Sequence, residues 1–342
     1  MVTPGTDLDL VTRRRLADRG QAVLIIDGSD DSFHAWPADA VDWTEATWFG
    51  AWVPERALSV YVYHWFRPVL GIYGGGCIAW DQSGHLPWEA RNFQYDVNRP
   101  LPARLDLRKL ELPTGKRITC LRDGWQYRIE FTNETVRLLL EFEATTPPDL
   151  TAQHGSAEFF SGHLDQPGRY RGHIELDGER LAIECYGIRD RSWGPRVIGN
   201  DIRMGYCHGE GEATSFLAFS KPGSPAETTA ALVTCDDTVM KGFLHRDGER
   251  IALAGGSRHV TLRDDRLERL VVRLADIKGR ELEAEGTPLN YFTYTSYPNL
   301  LSRHYLVRWE SADGTCYGEE QDLWSVPLWS AHARASRAKL ER

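Results

Sequence analysis

An all-β fold is predicted by three features of this 342-residue chain: period-two alternation of apolar and polar residues, Asp-Gly pairs between the alternating runs, and helical periodicity restricted to the ends. Val136, Leu138, Leu140, Phe142 and Ala144 alternate with Arg137, Glu141 and Glu143, the pattern of a strand with one face buried. Ile174 and Leu176, then Leu181, Ile183 and Cys185, flank Asp177-Gly178, a dipeptide that accepts the left-handed backbone of a tight turn, so this segment reads as a β-hairpin. Further Asp-Gly pairs at 123, 247 and 313 imply a meander of hairpins. Antiparallel sheets of this extent hide their edges by closing into barrels or stacking as sandwiches. The 12 Trp, 13 Tyr and 12 Phe, against 3 Met, suit large β cores or an aromatic-lined pocket.

In chain order, residues 6–20 are expected to form a short helix. Trp43 to Val53 follows as a strand, with Trp43, Glu45, Thr47, Phe49, Ala51 and Val53 on one face. Ser59 to Phe66 is the next, with Tyr61, Tyr63 and Trp65 on one face and Val60, Val62, His64 and Phe66 on the other. The Gly71–Gly76 run lacks the lysine and the following helix of a phosphate loop, and marks a bulge or a close approach of strands. Pro147-Pro148 through Gly155 is linker-like, which gives an N-terminal β domain over 1–165 and a C-terminal β domain over 166–342. The segments beginning Asp177-Gly-Glu-Arg and Asp247-Gly-Glu-Arg match each other, through either a duplicated β unit or a shared hairpin solution. Tyr291 to Tyr297 is a compact aromatic segment suited to a pocket rim. Arg303–Glu310 and Thr315–Trp324 form a terminal hairpin in which Glu319 and Glu320 point to opposite faces, so at most one enters a barrel interior. Trp329 to Glu341 has helical periodicity.

A net charge of -9 argues against a nucleic-acid partner, since phosphate binding needs a basic field. No apolar run approaches the roughly 18 residues of a membrane span, and the N-terminus lacks the apolar core of a signal peptide, so a cytoplasmic protein is expected. The six cysteines are scattered without a CxxC pair, as reduced and mostly buried thiols would be. The eleven histidines show no HExxH or HxH spacing, and no metal is expected. No GxSxG elbow is present, which leaves ordinary hydrolase chemistry without support.

Two carboxyl groups stand out as candidate catalysts. Glu45 projects among apolar neighbours; if that face is inward, burial raises its pKa and leaves a neutral acid able to protonate an alkene. The alternative is an ordinary acid satisfied by an arginine or by backbone amides. Asp190 lies in Gly187-Ile-Arg-Asp-Arg-Ser-Trp-Gly-Pro-Arg196, a run too dense in polar groups for an ordinary strand. It reads either as a structural ion-pair corner or as an active-site segment. Alternation puts Ile188 and Ser192 on the face of Asp190 and Arg189, Arg191 and Trp193 on the other, with Gly187 a place where a bulge would shift this register. Trp43, Trp48, Tyr63, Trp65, Trp193 and Tyr294 are candidate substrate-binding aromatics, their π faces able to stabilise a cation by about 0.5 to 2 kcal/mol each. His64 and His304 complete the candidate binding set, His64 reading otherwise as a hydrogen-bonded core histidine.

The run from Gly172 to Arg196 resembles the central signature of the hydroxyneurosporene synthase-like superfamily, which includes carotenoid 1,2-hydratases, kievitone hydratase-like proteins and, more distantly, tocopherol cyclases and fungal Diels-Alderases. The block Trp43 to Phe49 and the block Gly314 to Trp324 extend the similarity over most of the chain. The family pattern commonly reads Arg-Asp-His-Ser-Trp-Gly; here the histidine position is Arg191, a permanent cation that cannot relay a proton. The resemblance implies two tandem lipocalin-like antiparallel β-barrels and cofactor-free chemistry on apolar, alkene-bearing molecules. The expected activity is therefore that of a hydratase, dehydratase or cyclase acting on an isoprenoid or prenylated aromatic, with Glu45 or Asp190 as acid. A pericyclic or isomerising enzyme and a carrier of hydrophobic ligands are the alternatives. The expected partner is a hydrophobic small molecule, and a homodimer stays open.

Overall fold

The computed structural model describes residues 14–16, 22–24, 27–153, 162–228 and 232–340, and these are all-β apart from short 3₁₀ turns and one C-terminal helix. Strands β1 (Arg14–Leu16) and β2 (Ala22–Leu24) pair as a separate ribbon. A strand therefore stands inside the expected N-terminal helix, because the backbone bonds of Arg14–Leu16 go to the partner strand Ala22–Leu24. The rest of that expected helix lies outside the described residues.

Eleven strands build the first sheet: β3 (Trp43–Val53), β4 (Leu58–Arg67), β5 (Ile72–Trp80), β6 (Asn92–Pro100), β7 (Lys109–Leu112), β8 (Lys116–Arg122), β9 (Gln126–Thr132), β10 (Val136–Ala144), β11 (Leu150–Gln153), β12 (Gly162–Leu176) and β13 (Glu179–Pro195). Their order is β6-β5-β4-β3-β13-β12-β10-β9-β8-β7, with β11 also on β12. The sheet curls into a half-barrel, and Lys116 of β8 reaches Gly75 and Asp96 at the opposite end of the order. Its concave face carries Phe49, Tyr127, Phe142 and Tyr170 in mutual ring contact.

The second sheet comprises β14 (Arg203–Glu210), β15 (Thr214–Thr228), β16 (Leu232–Arg246), β17 (Glu249–Arg263), β18 (Arg266–Asp276), β19 (Glu281–Pro288), β20 (Phe292–Tyr297), β21 (Leu300–Ser311) and β22 (Gly314–Ser325). Pairing of β19 with β21 closes eight of these strands into a barrel, and β20 attaches to β21 outside the ring. Closure removes the free edges that an open sheet would expose. The interior is filled by Val260, Leu270, Val272, Leu274, Val307 and Trp309 among others. Helix α1 (Val326–Leu340) follows, as the C-terminal periodicity predicts.

Contacts divide the chain into two compact units, one of Met1–Val53, Val60–Ala79 and Arg91–Val197, the other of Pro54–Ser59, Trp80–Ala90 and Ile198–Arg342. The boundary read from sequence at 165/166 falls inside β12. Of the linker-like stretch, residues 147–149 lead into β11 and Leu150–Gln153 are β11 itself, and the β12–β13 hairpin stays with the first sheet because its long ladder pairs with β10 and β3. In the second unit, Asn290 ties the short segments to the barrel. Its Nδ2 donates to the Ala57 carbonyl (2.8 Å) and Ser59 Oγ (3.0 Å), and its Oδ1 accepts from Trp80 Nε1 (3.1 Å) and the Leu306 amide (2.8 Å).

The Asp-Gly pairs at 123, 177, 247 and 313 lie at hairpin turns: β8–β9, β12–β13, β16–β17 and β21–β22. Asp177 and Gly178 have φ of 52° and 80°, and Asp247 and Gly248 have 55° and 74°, the double left-handed geometry of a two-residue turn. The β17–β18 turn needs the same geometry but uses Asp264 (49°) and Asp265 (61°). Replacing Asp265 with Gly is expected to relieve this strain and stabilise the protein by up to about 1 kcal/mol, read as a raised urea midpoint at unchanged slope.

Candidate active site

Strand β13 pairs with β12 through fifteen consecutive residue pairs without a register shift, and with β3 on its other side. No bulge occurs at Gly187, so the alternation expected from sequence holds. Arg189, Arg191 and Trp193 project to the concave face; Asp190 and Ser192 project to the other. Both faces are covered here, since every residue of β3 is buried. Glu45 and Asp190 therefore lie on opposite faces of one sheet, Glu45 opposite Trp193 and Asp190 opposite Trp48 in the ladder.

On the concave face, Arg191 is neutralised by Glu45. Its Nη2 donates to Glu45 Oε2 and to the Ser32 carbonyl (2.9 Å), and its Nη1 to the carbonyls of Ala46 (2.8 Å) and Ser192 (3.0 Å). Glu45 is fully buried and also accepts from Trp43 Nε1 (3.2 Å) and the His34 amide (3.0 Å), with His34 Nδ1 at 3.2 Å. The His34 ring lies flat on Trp193 with centroids 3.9 Å apart, and its Nε2 is 3.0 Å from Asp30. Burial works against the Glu45 carboxylate, but Arg191 and His34 together hold its pKa below the ordinary value. The neutral acid expected from its apolar neighbours is thus corrected to an ionised carboxylate, the alternative in which an arginine satisfies it. Burial also opposes charge on His34, and Glu45 and Asp30 reverse the balance and raise its pKa.

The 3₁₀ turn Gly28–Asp31 delivers these acids. Asp27 caps it, accepting from the Ser29 amide (2.7 Å) while Asp30 Oδ2 accepts from the Asp27 amide (2.7 Å). Next to Asp30, Asp31 binds Arg189 Nη1 (2.7 Å) and the Tyr127 hydroxyl, and Arg189 also reaches Gln166 Oε1 (2.7 Å) and lies over the Tyr127 ring. Trp43, Trp193 and Leu164 complete an apolar cluster, with Gly162 opposite Trp193 leaving space that a Cβ would occupy 2.4 Å from the indole.

The other face is different in character. Asp190 stands directly across the ladder from Asp165, and His163, two residues from Asp165, places Nε2 3.0 Å from Asp165 Oδ2. Burial pushes the Asp190 carboxyl up to about 6; His163 opposes the shift, Asp165 adds to it, and Arg196 and Arg191 oppose it. Part of the side chain still reaches the surface. Trp48 packs across Gly50 and against Tyr61, with ring centroids 6.3 Å apart, which puts the Tyr61, Tyr63 and Trp65 ladder on this face by alternation. Trp65 covers Gly74 and donates to the Tyr95 hydroxyl (3.3 Å). His64 turns to the concave face, buried beside Phe66.

The remaining candidates, Tyr294 and His304, belong to the second unit. His304 stacks on Tyr294 (5.5 Å), meets Trp80 edge-on (6.0 Å) and bonds Glu319 through Nδ1. His208 Nδ1 is 2.9 Å from Glu210, and its Nε2 lies 4.0 Å from Glu319. Glu319 and Glu320 do point to opposite faces, and Glu320 is the one inside the barrel. There it bonds Arg258, which also bonds Asp237, while Gly205 leaves room for the guanidinium where a Cβ would lie 2.8 Å from Cζ. Among the described residues, no group of three or more His, Cys, Asp or Glu side chains is arranged to hold a metal ion.

Sequence reasoning missed Asp165, His163 and His34. For the first two a signal existed: counting back from the two-residue turn at Asp177-Gly178 puts Asp165 opposite Asp190 and His163 opposite Ser192. His34 carried none, because only the docking of the 27–34 segment brings it to Trp193.

The half-barrel and the closed barrel define a tandem antiparallel β protein with acid clusters built on hairpin ladders. The chain belongs to the family described as "Domain of unknown function (DUF7064)", which matches residues 27–318. No curated protein matches the sequence. Among solved structures, kievitone hydratase from Nectria haematococca is similar at a TM-score of 0.51 and 10% identity, covering 84% of this chain and 90% of that one. An AttH-like protein from Nitrosomonas europaea (TM-score 0.45, 13% identity, 82% and 91% covered) and CghA with Sch210972 (0.43, 10%, 83% and 89%) also match. The fold implied by the resemblance to kievitone hydratase-like proteins is the fold observed.

Removing one partner of a buried ion pair leaves an uncompensated charge, so Glu45→Gln is expected to cost about 3–5 kcal/mol in urea unfolding. Because the His34 pKa is raised on folding, its stabilising contribution is complete below about pH 6.5 and is lost as pH rises through the folded value. His34→Gln should abolish that segment of the stability–pH curve.

Proposed function

We propose that this chain is a cofactor-independent enzyme that adds water to, removes water from, or closes a ring on an alkene-bearing isoprenoid or prenylated aromatic, with the Asp190 carboxyl as proton donor. One observation carries this reading: Asp190 faces Asp165 across the β12–β13 ladder, in surroundings that raise its carboxyl to about 6. At pH 7 roughly a tenth of such groups still hold their proton, against less than about a thousandth at the ordinary aspartate value. A donor of this strength is poised near neutrality. In the addition direction, the alkene π electrons take the Asp190 proton and leave a cation on the adjacent carbon. Water or an internal hydroxyl captures it and returns a proton to the carboxylate. The π faces of Trp48, Tyr63 and Trp65, on the Asp190 side of the sheet, are suited to shielding that cation. The fold shared with kievitone hydratase supports the reading at the level of fold. Arg191 and Glu45, locked in mutual neutralisation on the opposite face, serve as positioning groups that hold β13 in register.

The test is incubation with terpenoid alkenes and prenylated phenols in deuterated water, followed by mass spectrometry. Wild type is expected to place deuterium on carbon, and Asp190→Asn to reduce this by at least about a hundredfold. Since the protonated acid is the active form, the rate should be full below about pH 6 and decline tenfold per unit above it. Deuteration that survives in Asp190→Asn would exclude this donor; turnover without deuterium would indicate a pericyclic reaction, and binding without turnover a carrier. The variant should stay folded. A raised carboxyl pKa costs stability as pH rises from the unfolded value towards 6, so Asp190→Asn should be at least as stable as wild type at pH 7.

A further inference from the structure

On the concave face of the first sheet, the candidate residue His64 is fully buried, and among the described residues neither ring nitrogen has a hydrogen-bond partner. Expected either in the substrate-binding set or as a hydrogen-bonded core histidine, it is buried without such a bond among the described residues. Leaving a buried imidazole unsatisfied costs a desolvation penalty that native proteins rarely tolerate without a bound group or water. Its neighbour supplies a second unmet demand. Among the described residues, the hydrogen bonds of Lys116, 1% exposed, are long ones, 3.3 Å to the Gly75 carbonyl and 3.4 Å to Asp96 Oδ2. The strand approach at Gly75 brings the two together: a Cβ on Gly75 would lie 2.7 Å from His64 Cα, and the carbonyl of the same residue receives the Lys116 ammonium.

Asp96 is shared: it accepts from Gln94 Nε2 (3.1 Å) and lies 3.4 Å from Lys116 Nζ and 3.7 Å from Nε of the half-exposed Arg99. Cys77 nearby is a thiol held neutral, its pKa pushed up to about 12 by burial. Burial pushes the Lys116 ammonium down to about 8, with Asp96 offsetting it only in part, and burial followed by the Lys116 charge holds His64 neutral. A neutral imidazole offers one N–H donor, and the ammonium offers the others. The Lys116 ammonium and the His64 imidazole, beside Phe66, Tyr73 and Phe131, thus offer donors that fit an anion whose remainder is apolar.

We propose that the interior of the first sheet binds a carboxylate between the Lys116 ammonium and the His64 imidazole. The carboxylate is either a small free acid or the head of an apolar acid. The site is separate from the face that carries Asp190.

The test uses the full chain, with cis-parinaric acid followed by fluorescence and butyrate as a competitor. The acid is expected to bind at least about tenfold more tightly than its methyl ester, the worth of one charge-assisted bond. Lys116→Met should abolish that preference, and His64→Leu should weaken acid binding about tenfold. Butyrate that displaces the probe assigns the site to the carboxylate alone; binding of the long acid without butyrate competition assigns it to an acid with an apolar tail. The His64 ring ¹⁵N resonances should shift on acid binding in wild type, a readout that does not depend on the variants folding. No binding of either acid, equal binding of acid and ester, or His64 resonances unmoved at saturation would overturn the proposal and leave bound water as the partner of His64. Asp190→Asn is expected to bind the probe as wild type does, so failure of the proton-donor reading and failure of this one are read separately.

Discussion

The structure of the first unit turns on one constraint, the strict alternation of side chains along β13 while both of its faces are covered. Arg189, Asp190 and Arg191 are adjacent in sequence, yet they cannot neutralise one another, because successive side chains leave the sheet in opposite directions. Each buried guanidinium must find an acid elsewhere. Asp31 arrives on the capped 3₁₀ turn and Glu45 on β3, and both elements are fixed in place by the charges they answer. An isolated buried charge costs several kcal/mol, far more than a surface pair returns, so these contacts constrain register more than they add stability.

The same alternation frees Asp190. With its flanking arginines engaged on the far side, it stands opposite another aspartate; His163 and Arg196 offset that charge, and burial is left to dominate its titration. A carboxyl that would have been a poor acid beside an arginine becomes one that holds its proton near neutrality. The chemistry of the two faces thus differs in kind: ion pairs closed on themselves on one side, and on the other two facing acids with His163 beside them, bordered by aromatic rings.

The closed barrel repeats this partition on β22. Glu320 turns inward to Arg258, in a charged layer at the edge of an otherwise apolar core, and Glu319 turns outward to the histidines. Inside the barrel the guanidinium is matched by Asp237 as well as Glu320, and the missing Cβ at Gly205 gives it room. Small residues in both sheets, Gly50 and Gly162 in the first and Gly205 in the second, mark places where a large side chain from a neighbouring position crosses the backbone.

Sequence by itself determined the all-β class, the hairpins at the four Asp-Gly turns, the facing of β3, β4 and β13, and the opposite orientation of Glu319 and Glu320. These are local consequences of a two-residue period and of backbone angles that few dipeptides adopt, and so they are written in neighbouring residues. The pairing of Asp190 with Asp165 was legible too, through the turn that sets the ladder, although a bulge at Gly187 would have erased it. Tertiary structure alone decided what each buried charge meets. Whether Glu45 is a neutral acid or an ionised one depends on Arg191, 146 residues away, and on His34 from a segment with no period of its own. The extent of the first unit, Val60–Ala79 included, was likewise set by the order in which strands pair across long separations. Electrostatics in a buried sheet follows three-dimensional neighbours, and composition carries no record of those.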